Sequence, residues 1–231
     1  MKVALVTGNV KGIGRAVTLK LLNLGYIVPV HYNTSHSEAV EFSEIIKRDF
    51  NIQVPVIKAN IMDSVEVDNM VNLIVGKFGW VDILVNNVGD YLYKDIRQVS
   101  FEEWKYIIDS NLNSCFLLTQ RMLGYIRRRL IFIGFAGTDK VMAYPFTTAY
   151  NIAKTGVLIY AKSLAKLLAK EGITVNVIGV GVAENSITKP ISEIPMGRTA
   201  RLDEICSVVE FLINADYITG QLIEVSGGWK L

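Results

Sequence analysis

"VALVTGNVKGIGRAV", Val3 to Val17, decides the fold. A β-branched run enters Gly8, Gly12 and Gly14 without a spacer, and a helical pattern follows from Gly14 to Leu24. Glycines at a strand-to-helix turn permit tight backbone geometry. They also let a pyrophosphate approach the helix N-terminus, whose free N–H groups and dipole favour anions. The spacing is G-x-x-x-G-x-G rather than G-x-G-x-x-G, so the placement after the first strand carries the reading. Gly8, Lys11, Gly12, Ile13 and Gly14 are therefore the candidate cradle of a dinucleotide.

The next strand, "YIVPVHY", tests which dinucleotide. An NAD site offers an acid near the end of that strand to the ribose 2′-hydroxyl, and the same acid would repel a 2′-phosphate. Here the strand runs into "HYNTSH", with no acid between His31 and His36. With Lys11 inside the glycine loop, NADP(H) is the expected cofactor, and Lys11, Asn33, Thr34 and Ser35 are the candidate 2′-phosphate contacts. His31 and His36 are expected in an exposed loop, and no metal site is expected around them.

Further along, β-branched runs alternate with helical patterns to the end of the chain. "KVALVT", "YIVPVHY", "IQVPVIKAN", "VDILVNN", "LIFIGF", "ITVNVIGV" and "QLIEVS" are seven strand candidates with continuous apolar character. That pattern predicts an α/β fold in which a seven-stranded, mainly parallel sheet carries helices on both faces. Right-handed crossovers make it doubly wound, with ligands beyond the carboxyl ends of the strands. The 231 residues contain no Pro/Gly/Ser-rich linker, so a single domain over 1–231 is expected.

A hydrophobic content of 51% against 20% charged residues supplies a large core and apolar surface for subunit contacts. The net charge of +2 argues against a nucleic-acid partner and for a small molecule. Arg127, Arg128 and Arg129 form the one basic run and are expected at the C-terminus of a long helix, where the dipole favours cations. Cys115 and Cys206 are expected as buried, reduced thiols. No segment has the length of a signal peptide or a membrane span, so a cytoplasmic protein is expected.

A helix predicted from Thr147 to Lys170 carries Tyr150 and Lys154, four residues apart and hence on one face. Taken alone, such a pair is more often an amphipathic surface than a site. Together with the glycine loop, however, the chain resembles the short-chain dehydrogenase/reductase family over almost its whole length. The likeness is carried by "TGNVKGIG", "NNVG" at Asn86 to Gly89, Asn111 in "SNLNSCF", Y-x-x-x-K at Tyr150 and Lys154, and "ITGQLIEVSGGW". Within the family it is most similar to 3-oxoacyl-carrier-protein reductases and more loosely to pteridine reductases.

The resemblance implies a Rossmann fold and a homotetramer or homodimer packed through the helices containing Asn111 and Tyr150. It implies that Tyr150 donates a proton as hydride leaves the nicotinamide. Lys154 would bind the nicotinamide ribose and lower the phenol's pKa from ~10 by roughly 4 kcal/mol of differential stabilisation. Asn111 would anchor a proton-reloading route. Asn60 and Ile61 would lie at the adenine, Asn86, Asn87 and Gly89 along the adenine-ribose and centre of the groove, and Val182 and Asn185 at the nicotinamide amide.

Three departures stand against the family pattern. Phe135 falls where a catalytic serine is expected at the end of the fifth strand, and it cannot donate a hydrogen bond; Thr138 is the nearest replacement. Val180-Gly181 replaces Pro-Gly. Only Ala183 to Ile194 separate Gly181 from "PMGR", which leaves little chain for a substrate lid and predicts a cleft that is open or covered by a partner. The expected activity is reduction of a small carbonyl compound, with 3-oxoacyl thioesters among the candidates. The alternatives are C=N reduction of the pteridine reductase type and a non-catalytic NADP-binding scaffold or sensor.

Overall fold

In the computed structural model, which describes residues 1–230, the strand segments read from the sequence become eight strands among seven α-helices. Their order is β1 (Lys2–Val6), α1 (Gly12–Asn23), β2 (Tyr26–Ile27), β3 (Val30–Tyr32), α2 (His36–Phe50), β4 (Val56–Lys58), α3 (Ser64–Phe78) and β5 (Val81–Asn86). There follow α4 (Phe101–Ile108), α5 (Ser114–Met122), β6 (Ile126–Phe135), α6 (Thr148–Leu168), β7 (Thr174–Val180), α7 (Leu202–Asn214) and β8 (Leu222–Val225).

The additional strand arises at Pro29. The expected strand "YIVPVHY" breaks there because proline brings no N–H to a ladder. Its first half, β2, pairs with β1, and its second half, β3, pairs with β4. The result is a six-stranded sheet in the order β2-β1-β5-β6-β7-β8 beside the β3-β4 pair, with every pairing parallel. Buried Asn9 bridges the break: its amide donates to the Pro29 carbonyl at 2.8 Å, and its side-chain oxygen accepts from His31 N at 2.8 Å.

Alternate residues of the central strands feed two cores, one on each face, which is the doubly wound arrangement expected. Val3, Leu5, Leu84, Leu130, Phe132, Val175 and Val177 pack against α3, α5 and α6. Ala4, Val6, Ile83, Val85, Ile131, Ile133, Ile178 and Val180 pack against α1, α2 and α7. Cys115 and Cys206 are buried and unpaired, and burial pushes both thiols up to about 11.

The arginine run does not end a helix; it lies in β6, which starts four residues earlier than "LIFIGF". Arg127 stacks over Trp80 at 3.5 Å. Buried Arg129 donates to the carbonyls of Leu212 and Ile213 and pairs with Asp216. It therefore satisfies the C-terminal carbonyls of α7, an element distant in sequence, in keeping with the preference of cations for helix C-termini.

Chain order in the sheet reverses between β1 and β5. The loops leaving those two strands diverge there and open the crevice where a doubly wound sheet receives its ligand.

Candidate active site

At the carboxyl end of β1 the glycine loop adopts the geometry its sequence requires. Gly8 and Gly12 have φ of +60° and +55°, in the left-handed region where side chains are disfavoured. Gly14 is limited by space instead: a Cβ there would strike the Gly8 carbonyl and come within 2.7 Å of Asn87 Nδ2. The first backbone bond of α1 runs from Arg15 N to Lys11 O, so the N–H groups of Gly12, Ile13 and Gly14 have no partner within the helix and suit an anion.

This loop is clamped to the turn after β5. Thr7 Oγ1 accepts from Asn87 N and Val88 N at 2.9 and 3.2 Å, and Asn87 Nδ2 donates to Thr7 O at 2.9 Å.

Behind the loop stands His31, which is buried on β3 and not in an exposed loop as its polar neighbours suggest. Gly8 N–H donates to its Nδ1 at 2.8 Å, and its Nε2 lies 3.1 Å from the Ala59 carbonyl. The ring is thus neutral with its proton on Nε2. Burial lowers its pKa from 6.5 to about 4, partly offset by the bond to Ala59. Above about 6.5 the ring is neutral whether the chain is folded or not. Between there and about 4 only the unfolded chain binds the proton, so stability falls as pH falls, by roughly 3 kcal/mol in all. Urea midpoints measured across this window should drop with acid, and His31→Gln should flatten the upper part of the slope. A slope unchanged by that substitution would overturn the assignment.

The groove over the loop has a volume of about 850 Å³. It is lined by Gly8, Lys11, Gly12, Ile13, Asn33, Thr34, Ser35, Asn60, Ile61, Asn87, Gly89 and Asn185 among others, and Asp90 is its only carboxylate among the described residues. Glycines that a Cβ would obstruct, unpaired helix N–H groups and the absence of an acid at the end of β3 fit a dinucleotide bearing a 2′-phosphate. Asn60 turns its side-chain oxygen to Met62 N at 3.1 Å. Asn86 faces away from the groove and donates to Thr119 Oγ1 at 3.1 Å, so the groove position implied for it is occupied by Asn87 alone.

A second cavity of about 280 Å³ adjoins the groove and shares Ile13, Asn87, Gly89 and Asn185 with it. Tyr150 and Lys154 project into it from α6, joined by Val182 from the loop after β7. Lys154 is buried and donates from Nζ to the Ile133 carbonyl at 3.0 Å, with Nζ 5.6 Å from the centre of the Tyr150 ring.

Burial pushes Lys154 down, opposed by Cys115, and pushes Tyr150 up, helped by Tyr91. Burial therefore favours the protonated phenol and acts against the lowering expected from its lysine neighbour.

Asn111 sits in a π-helical turn, Asp109–Asn113, that links α4 to α5. Its Nδ2 donates to Asp90 O and Ile107 O, while its buried Oδ1 has no hydrogen-bond partner. A Cβ on Gly89 would collide with that oxygen and reach 3.1 Å from Lys154 Nζ, so glycine at 89 lets the amide and the ammonium border the same space.

Phe135 ends β6 and forms part of the cavity wall. Its ring meets Tyr150 and Trp229 edge-on at 5.3 and 5.5 Å. Thr138 does not take the place of the missing serine: it is buried outside the cavity lining, and its hydroxyl donates to the Phe135 carbonyl at 2.9 Å. The loop returns that hydroxyl to its own backbone instead of turning it inward.

Between Gly181 and Met196 the chain forms a 3-10 turn, Ile191–Glu193, and a single β-bridge from Ala183 to Ala200, with no α-helix. Trp229 Nε1 donates to Glu193 Oε2 at 3.1 Å, and Met196 N to Gly227 O at 3.1 Å, which fastens this short lid to the segment after β8.

Tyr91 was not singled out from the sequence, and Trp229 entered only as the end of the "ITGQLIEVSGGW" motif, with no place in the site. Tyr91 and Trp229 lie in loops that only the tertiary fold brings to the cavity. Among the described residues no cluster of His, Cys, Asp and Glu could hold a metal ion, and no helix is long and apolar enough to cross a membrane.

A family model described as enoyl-(acyl carrier protein) reductase matches residues 8–230. The 3-oxoacyl-[acyl-carrier-protein] reductase FabG of Staphylococcus aureus is 35% identical over 240 residues, covering 98% of this chain and 97% of that protein. The 3-oxoacyl-[acyl-carrier-protein] reductase of Synechocystis sp. is 35% identical over 241 residues, covering 98% and 96%. A short-chain dehydrogenase/reductase from Serratia marcescens superposes with a TM-score of 0.92 at 26% identity, covering 100% of this chain and 98% of the other. A blue fluorescent protein from a metagenomic library, solved with NADPH, has the same fold, with a TM-score of 0.92 at 24% identity over 100% and 98% of the two chains.

Proposed function

The chain belongs to the short-chain dehydrogenase/reductase family, and on that premise we propose that it is an NADP(H)-dependent oxidoreductase that reduces a small carbonyl compound, 3-oxoacyl thioesters being the first class to try. The observation that carries this reading is the adjoining of the glycine-loop groove and the cavity holding Tyr150 and Lys154. When bound, the reduced dinucleotide supplies the hydride.

Gly8, Lys11, Gly12, Ile13 and Gly14 would hold its pyrophosphate, and Asn33, Thr34 and Ser35, with Lys11, its 2′-phosphate. Asn60 and Ile61 would flank the adenine, and Asn87 and Gly89 the middle of the molecule. Val182, Asn185, Tyr150 and Lys154 would orient its reactive end.

Tyr150, kept protonated by its apolar surroundings, donates its proton to the substrate oxygen as charge develops there. Lys154, one helical turn away, would bind the nicotinamide ribose and favour the phenolate left behind, and Asn111, with its unpaired oxygen beside that lysine, would anchor the route by which the proton is replaced.

Reduction of a C=N bond, as in dihydropterins, is a second reading favoured by Phe135, since protonation at nitrogen demands less stabilisation of an oxyanion. A binding scaffold has no need of a proton relay, and the presence of Asn111, Tyr150 and Lys154 together argues against it. Oxidation of NADPH and NADH followed with ketones, acetoacetyl thioesters and dihydropterins decides among the three. Tight NADPH binding without oxidation in the presence of any of them would overturn the enzymatic reading.

The family likeness also supports a homodimer or homotetramer packed through the α4–α5 segment that contains Asn111 and through α6, which contains Tyr150. There Phe116, Ile152 and Ile159 are exposed by 51%, 48% and 63%, an apolar set that a partner would cover. Light scattering should then give a multiple of the chain mass, and a monomer at micromolar concentration would refute this.

A further inference from the structure

Carbonyl reduction through Tyr150 requires a second hydrogen-bond donor for full rate, and neither Phe135 nor Thr138 can be that donor. We propose that Tyr91, in the loop after β5, is a further catalytic residue whose hydroxyl donates to the substrate oxygen beside Tyr150; this rests on the carbonyl reading above.

Tyr91 and Tyr150 meet edge-on with ring centres 5.1 Å apart, and both line the same cavity, so two phenols enter it from different elements. The remaining hydroxyls there are placed less well. Ser186 Oγ is turned to Ala183 N at 2.9 Å, and Thr188 Oγ1 faces Tyr91 itself. The Tyr91 hydroxyl has only that Thr188 contact, at 3.5 Å, the outer limit of a hydrogen bond, and can exchange it for a substrate oxygen.

The surrounding loop is held on both sides. Asp90 O accepts from Asn111 Nδ2 at 2.8 Å, and the Asp90 carboxylate accepts from Tyr106 at 2.6 Å. Beyond Tyr91, Lys94 N donates to Phe146 O at 2.8 Å, and Tyr93 stacks on Phe146 with ring centres 5.3 Å apart. The phenol is thus carried on a fixed wall, which a donor to a developing charge requires.

In the step itself hydride from the reduced dinucleotide bonds to the carbonyl carbon and the C=O π pair moves to oxygen. That oxygen takes the proton of Tyr150, leaving an alcohol, a phenolate at Tyr150 and the oxidised dinucleotide. Tyr91 keeps its own proton and stabilises the negative charge while it lasts.

The test compares the native chain, Tyr91→Phe, Phe135→Ser and the double variant on the acetoacetyl thioester of N-acetylcysteamine or another ketone that the native chain reduces. Tyr91→Phe should lower kcat by about 10²- to 10³-fold with the NADPH Kd unchanged. Adding Phe135→Ser should restore about tenfold or more, because a serine hydroxyl returns the missing donor. Independently of turnover, the infrared stretch of a ¹³C-labelled ketone carbonyl held in the dead-end complex with NADP⁺ should move to higher frequency in Tyr91→Phe.

Native turnover with an unaltered Tyr91→Phe rate overturns this proposal alone. So does a Tyr91→Phe loss that Phe135→Ser does not rescue, or a carbonyl stretch that does not move. A native chain that reduces no carbonyl overturns the function on which the proposal rests, and the infrared measurement still decides whether Tyr91 bonds a carbonyl oxygen.

Discussion

Replacing Tyr150 with phenylalanine is expected to lower carbonyl turnover by about 10²- to 10⁴-fold, the range for removal of a positioned general acid, while NADPH still binds. Phenylalanine keeps the ring that Tyr91 and Phe135 hold edge-on, so the fold should survive and the loss should fall on kcat.

The pH dependence follows from the same surroundings. Because burial raises the phenol above its usual 10.0, the protonated form needed for reduction persists through neutral and mildly alkaline solution. The reduction rate should be flat across that interval and decline only where the phenol ionises. The reverse oxidation, which needs the phenolate, should rise with pH instead. Stopped-flow rates in both directions would show this, and wild-type turnover by Tyr150→Phe would remove the phenol from the chemistry.

The second large effect is expected at Gly14. An alanine there would press its Cβ on the Gly8 carbonyl, lie 2.7 Å from Asn87 Nδ2 and 3.0 Å from Asn9 Cα. Two of these three neighbours are main chain in the loop that frames the groove, so relief requires the loop itself to move. Overpacking of this kind costs about 1–3 kcal/mol, and here it should also displace the N–H groups directed at the pyrophosphate.

Gly14→Ala should therefore lower both the urea midpoint and the affinity for NADPH. Gly76→Ala, inside α3 with nothing within 4 Å of the new methyl group, should gain up to about 1 kcal/mol from helix propensity alone. Equal effects from the two substitutions would show that crowding at Gly14 is not the cause.

The glycine loop and the Tyr150–Lys154 pair were legible because each depends on near neighbours in the chain: a turn that needs positive φ, and a helix face that repeats every turn. The two-faced sheet was legible for a similar reason, since a strand buried on both sides is apolar at every position.

What escaped depends on partners far along the chain. His31 lies in a polar stretch, yet it is buried because Gly8 and Ala59, brought from either side, satisfy both ring nitrogens. Arg127 to Arg129 follow a helix in sequence, but the carbonyls that Arg129 satisfies belong to α7, more than eighty residues later. Thr138 is close enough in sequence to Phe135 to suggest a replacement hydroxyl, and that closeness lets it bond the Phe135 carbonyl instead. Tyr91 carries no local signal, and the motif ending in Trp229 does not say what its ring meets, because a loop residue acquires a role only from what it is folded against.

The π-helical turn at Asn111 bears on how this architecture can drift during evolution. A π turn accommodates one residue more than an α turn, so excising one residue from Asp109–Asn113 would swivel the remainder of the rod by about 100°. Cys115, Leu118 and Met122 would then leave the core they now fill. Gradual amino-acid replacement can alter what the widened coil presents but cannot readily delete it, whereas an in-frame codon loss would forfeit the packing of α5 in one event.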